Sequence, residues 1–166
     1  MDKYLRQLIS IEFEDMKNIF SGFLIDYTED WILLKYNPVD YILDGYVILL
    51  NKNIKSIDRD ESEEFTEKVI KLKGLKTNAS EIIPIKNFST ILHFLNDKFE
   101  IFQIATKREK AAYLGKLIEV NDEELIIDFL ETRGKFGGEL SFNPNKIRVI
   151  EFDTDYINSL KLVIDS

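Results

Sequence analysis

The sequence contains no cysteine and only one histidine among its 166 residues. The first absence rules out disulfides, thiolate metal sites and a cysteine nucleophile together. With one histidine, a zinc site would have to be assembled from carboxylates. That histidine, His93, falls opposite Phe88, Leu92 and Leu95 on a predicted helix, beside Thr90 and Asp97, and reads as solvated. Long apolar runs are missing too. The opening MDKYLRQLISIEFED is interrupted by charge throughout, unlike a signal peptide, and no stretch approaches the length of a membrane span. These features predict a soluble cytoplasmic protein without membrane contact. No lysine–serine pair opens a helix after Gly134, Gly137 and Gly138, so those glycines predict a hairpin and not a phosphate loop.

What is abundant is acid. The net charge is −8, spread along the chain. Such a surface repels phosphate backbones and favours basic partners. Hydrophobic residues make up 45%, enough for packed cores and too many for global disorder.

The strongest pattern is an internal repeat. Gly22 to Asp60 recurs as Gly115 to Asp153 at a constant offset of 93, without gaps. Gly22/Gly115, Leu24/Leu117, Ile25/Ile118, Gly45/Gly138, Ile54/Ile147, Ile57/Ile150 and Asp60/Asp153 are identical, and Asp26/Glu119, Leu34/Ile127 and Lys55/Arg148 agree in class. A duplicated unit is the direct reading. Each copy shows five short apolar runs bounded by turn residues: 8–13, 19–27, 31–36, 45–50 and 53–58, then 101–106, 113–120, 124–129, 138–143 and 146–151. Short, closely spaced strands predict a bent five-stranded antiparallel barrel in each copy, with Gly22 and Gly115 at a bulge or bend.

Between the copies, Asp60 to Gly74 has a capping residue, early glutamates, late lysines and a terminal glycine, and predicts a helix with Phe65, Val69 and Leu72 as its buried stripe. A second helix is predicted near 87–97 with Phe88, Ile91, Leu92 and Leu95 on one face, matching a helical lead-in at MDKYLRQ. The fold expectation is therefore mainly β with minor α: two tandem five-stranded SH3-like barrels at 1–60 and 98–166, joined by a helical linker at 61–97.

Gly22-Phe-Leu24-Ile-Asp-Tyr27 and Gly115-Lys-Leu117-Ile-Glu-Val120, behind a leading helix, resemble the second strand of the Sm-like branch of small SH3-type barrels. The resemblance implies a barrel shape for each copy. The family's RNA-contacting residues do not carry over. Its aspartate is Thr28 or Asn121, its asparagine Ile32 or Leu125, and its Arg-Gly is Asp44-Gly45 or Gly137-Gly138.

No catalytic set emerges. Asp58, Asp60, Ser62 and Glu64 have the alternation of a calcium loop, but Glu63 and Val69 stand where glycine and glutamate are needed, so helix capping explains them. Asp26, Glu29 and Asp30, and Glu119, Asp122, Glu123 and Glu124, crowd equivalent hairpin turns, where solvent keeps carboxylates ionised. The chain is expected to be non-enzymatic, without cofactor or metal. Asn78-Ala79-Ser80 and Asn87-Phe88-Ser89 match glycosylation acceptors without an export signal beside them.

Comparing the copies isolates a surface. Where the second copy has Lys116, Glu124, Glu139, Ser141 and Asn143, the first has Phe23, Trp31, Tyr46, Ile48 and Leu50. If those positions face outward, the first copy carries an outward apolar set, covered either within the chain or by a partner. The leading expectation is a protein-binding module with a basic partner, in one version an immunity-type inhibitor of a basic toxin or nuclease, with a homodimer as another occupant of that face. The alternative is an Sm-like RNA-associated protein using Lys107, Arg108 and Lys110, although the acidic total disfavours nucleic acid. A carboxylate-dependent enzyme ranks last.

Overall fold

The computed structural model describes residues 1–108 and 111–166. A short 3₁₀ turn at Asp2–Tyr4, where a helix was expected, leads into β1 (Leu8–Phe13), β2 (Phe20–Tyr27), β3 (Trp31–Tyr36), β4 (Tyr46–Leu50) and β5 (Ile54–Asp58). Helices α1 (Glu61–Leu72) and α2 (Phe88–Phe99) follow. The second set is β6 (Phe102–Ala105), β7 (Ala112–Val120), β8 (Leu125–Leu130), β9 (Phe136–Phe142) and β10 (Val149–Phe152). A C-terminal helix, α3 (Asp155–Ile164), completes the chain, its first turn capped by Thr154, whose hydroxyl accepts from the Ile157 amide.

The fold is mainly β with three helices. Its strands form one antiparallel ten-stranded sheet in the order β5-β1-β2-β3-β4-β10-β6-β7-β8-β9. Both halves repeat the same internal order. The two halves, expected as tandem barrels, are joined in one open sheet in which β4 takes β10 of the other half as its neighbour.

The repeat holds at the level of register. Gly22 pairs with Tyr36, and Gly115 with Phe129. The ladder slips between Leu24 and Asp26 in one half and between Leu117 and Glu119 in the other, so both bulges sit at equivalent places. Close approach of the neighbouring strand explains the two glycines. A Cβ on Gly22 would lie 2.3 Å from the Lys35 carbonyl oxygen, and one on Gly115 2.5 Å from that of Asp128. Ile9, Ile11, Ile32, Leu34, Val47 and Leu49 fill the first half. Their counterparts Phe102, Ile104, Leu125, Ile127, Leu140 and Phe142 pack in the second.

The joint between the halves follows from the run Tyr46-Val-Ile-Leu-Leu50, which lacks the apolar–polar alternation of a half-wet strand. Val47 and Leu49 point into the first half's core, while Tyr46 and Ile48 join the second half's core. Strand β10 mirrors this, sending Val149 to the first core and Ile150 and Phe152 to the second. Tyr46 and Phe152 stack with ring centroids 5.0 Å apart.

Helix α2 buries Ile91, Leu92 and Leu95, as its periodicity predicts, and leaves His93 exposed. Helix α1 is rotated from expectation. Its one buried residue is Ile70, while Phe65 and Leu72 are exposed. The reason is polar. The face turned to β1 carries Glu67, which accepts the Leu8 amide at 2.8 Å, and Glu63, which accepts the Ser10 hydroxyl at 2.9 Å. Satisfying polar groups of β1 outweighs burying the apolar stripe.

Candidate functional site

The five residues singled out in the first copy lie inside the molecule. Phe23 packs with Leu8, Ile70 and Leu43 beneath α1. Trp31, Tyr46 and Ile48 belong to the core shared with the second half, and Leu50 is partly buried against it. Trp31 stacks on Phe88 of α2 at 5.9 Å, and Ile83 and Ile85 of the inter-helix segment enter the same cluster. The outward face of the first copy is thus covered within the chain, and the free surface lies elsewhere.

One free surface is built by the β3–β4 loop and α1. The side-chain amide of Asn37, itself buried, donates to the carbonyls of Val39, Asp40 and Ile42 at 3.4, 3.0 and 2.7 Å. That clamp holds the loop in shape, with Asp40 at φ +46, a left-handed conformation that a branched network can sustain. Val39, Tyr41 and Ile42 consequently project into solvent at 54%, 37% and 48% exposure. The Tyr41 ring meets Phe65 of α1 edge-on at 6.0 Å, and Lys73 donates to the Tyr41 carbonyl at 2.8 Å. The result is an apolar patch on a fixed backbone, with the exposed acids Asp40, Glu61 and Glu64 among or beside its members.

A second surface lies where the halves meet. Lys107 and Arg108 line a groove of about 460 Å³ together with Lys52, Lys146, Asn145 and Thr106. Lys110, the third basic residue flagged in the sequence, lies outside the described residues. Lys52 and Lys146 were not singled out from the sequence. They sit on the β4–β5 and β9–β10 loops, and only the β4–β10 pairing brings those loops together. The groove wall is fixed by Arg148, which donates to both oxygens of Asp15 at 2.6 and 3.2 Å and to the Lys52 carbonyl at 2.9 Å. The Arg148 hydrogen bond, against a smaller opposing effect of burial and with help from Asn53, holds the Asp15 carboxyl at about 2.

The chemistry elsewhere is sparse. The turn carboxylates Asp26, Glu29, Asp30, Glu119, Asp122, Glu123 and Glu124 are all exposed. Glu151, on β10, is different. Burial, with a contribution from Asp44, pushes it up to about 7, and Gln103 donates to it at 2.7 Å. Among the described residues no group of three histidines or carboxylates is placed to hold a metal ion. No helix among the described residues is long and apolar enough to cross a membrane. In comparison with known proteins, no family model, curated protein or solved structure matches this chain.

Proposed function

We propose that the chain is a non-enzymatic protein-binding module, and that its partner is a basic protein docking on the β3–β4 loop and α1. The observation that carries this reading is the Asn37 clamp, which presents Val39, Tyr41 and Ile42 beside Phe65 on a backbone already in shape. A preorganised loop avoids the entropy cost of ordering on binding. Aromatic side chains in such a position are the ones that dominate interface energies. Acids around the patch, on a chain of net charge −8, would steer a basic partner and speed encounter. An immunity-type inhibitor that masks a basic toxin or nuclease is the concrete form of this proposal. In the same reading each half descends from one Sm-like barrel, the duplicated pair having opened to share a sheet.

The test is cross-linking capture with the full chain, comparing wild type with Tyr41→Ser/Phe65→Ser. A basic protein retained by wild type and lost in the double variant, with the circular dichroism spectrum unchanged, supports the proposal. Equal retention by both proteins removes this surface from consideration.

A further inference from the structure

The groove between the halves gathers cations on an otherwise acidic chain. Lys52, Lys107, Arg108 and Lys146 are all exposed along it, and none has a carboxylate partner among the described residues. Asp15, the one acid in its described lining, is already engaged by Arg148. Unpaired like charges around one hollow repel one another, and an anion placed between them relieves that repulsion.

We propose that this groove binds a phosphate-bearing anion, with these four cations meeting its oxygens. The positions of Lys52 and Lys146 are braced within the chain. Arg148, only 5% exposed, holds the Lys52 carbonyl at 2.9 Å. Lys146 ends a 3₁₀ turn, Pro144–Lys146, capped by the Asn143 side chain. The Arg108 amide donates to the Thr106 hydroxyl at 3.3 Å. Guanidinium and ammonium donors arranged this way suit tetrahedral oxyanions, because each phosphate offers several charged acceptors. Lys52 and Asn145 also line an adjoining hollow of about 690 Å³, walled by Trp31, Phe88 and Val120 and by the acids Asp30 and Asp122, with room for an organic body whose phosphates stay on the cationic side.

The phosphates have two possible sources, a free polyphosphate or nucleotide and the backbone of single-stranded RNA, and the experiment separates them. Isothermal titration of the full chain at low salt is run with inorganic triphosphate, a nucleoside triphosphate and a short RNA oligonucleotide. Lys107→Ser/Arg108→Ser and Lys52→Ser/Lys146→Ser are the groove variants, and Lys68→Ser on the exposed side of α1 is the control. Saturable binding should weaken by roughly tenfold or more in each groove variant, as expected when charge-assisted contacts go. It should stay unchanged in the control and fall steeply with salt. Tightest binding of the oligonucleotide assigns the backbone source, and tightest binding of either triphosphate assigns the free anion. Absence of saturable binding for all three probes, or groove variants that bind like wild type while keeping the wild-type circular dichroism spectrum, overturns the proposal.

Discussion

Arg148 in the second half and Asp15 in the first form a two-pronged ion pair across the joint between the repeats, at 2.6 and 3.2 Å. The arginine side chain is 6% exposed and the aspartate 27%, so the pair is sheltered mainly on the arginine side. Arg148 also lies 5.6 Å from the Phe13 ring centroid. Removing the carboxylate leaves a sheltered guanidinium without its counter-charge.

Asp15→Asn should therefore destabilise the chain by about 2–3 kcal/mol at neutral pH, at or just under the low end for broken buried pairs because Asp15 is partly wet. The carboxyl is held near 2 in the folded chain against 3.8 ordinarily, so its contribution is complete above about pH 4. It disappears as pH falls from about 4 toward 2. Urea unfolding at pH 7 and at pH 2.5 checks this: the gap between variant and wild type should narrow strongly at the lower pH.

Glu151 acts in the opposite sense. Its folded value of about 7 exceeds the ordinary 4.5, so the folded chain keeps a proton that the unfolded chain releases. Its effect is neutral below about pH 4.5, becomes increasingly unfavourable from there to about pH 7, and then levels off. Glu151→Gln preserves an acceptor for Gln103 and should stabilise the chain by about 2–3 kcal/mol at pH 8 and by little at pH 4.5. Unfolding midpoints of the two proteins across that interval give the measurement.

Gly22→Ala and Gly115→Ala should cost similar amounts, about 3 kcal/mol each, since the added methyl meets a strand carbonyl in both halves. Gly74→Ala is the comparison. Its φ of +73 disfavours alanine, but nothing lies within 4 Å, so about 1 kcal/mol is expected. Thermal melts of the three variants distinguish crowding from backbone preference.

Trp31→Ala should destabilise by about 3–5 kcal/mol, the usual range for a buried aromatic. Phe65→Ser, on the exposed side of α1, should change stability by under about 0.5 kcal/mol. Denaturant curves for both variants test which of these aromatics supports the fold and which is available to a partner.

The strands were legible because turn residues and apolar runs recur at the same offset, and Gly22 and Gly115 marked equivalent crowded places in both halves. The outward apolar set was legible as well, through Tyr46 and Ile48 standing where Glu139 and Ser141 stand in the other copy. What covers it was not, because local alternation does not record which distant strand will be the neighbour of β4. The rotation of α1 was hidden for a related reason: Glu67 turns inward to meet the Leu8 amide, a requirement set by the sheet and not by the helix. Lys52 and Lys146 were overlooked because a basic site assembled from separate loops has no signature in sequence. The helix at Asp155–Ile164 went unpredicted, although Thr154 followed by an acidic first turn was a start signal.

The pairing of β4 with β10 makes each half the other's wrapping. The strands at the two ends of the sheet, β5 and β9, display Lys55 and Asp58, and Glu139 and Ser141, a wet fringe that discourages further strands from adding. Severing the chain after Phe99, the end of α2, would remove β10 and leave the edge of β4, Tyr46–Leu50, without a neighbouring strand. Such a fragment should self-associate in light scattering where the intact chain does not.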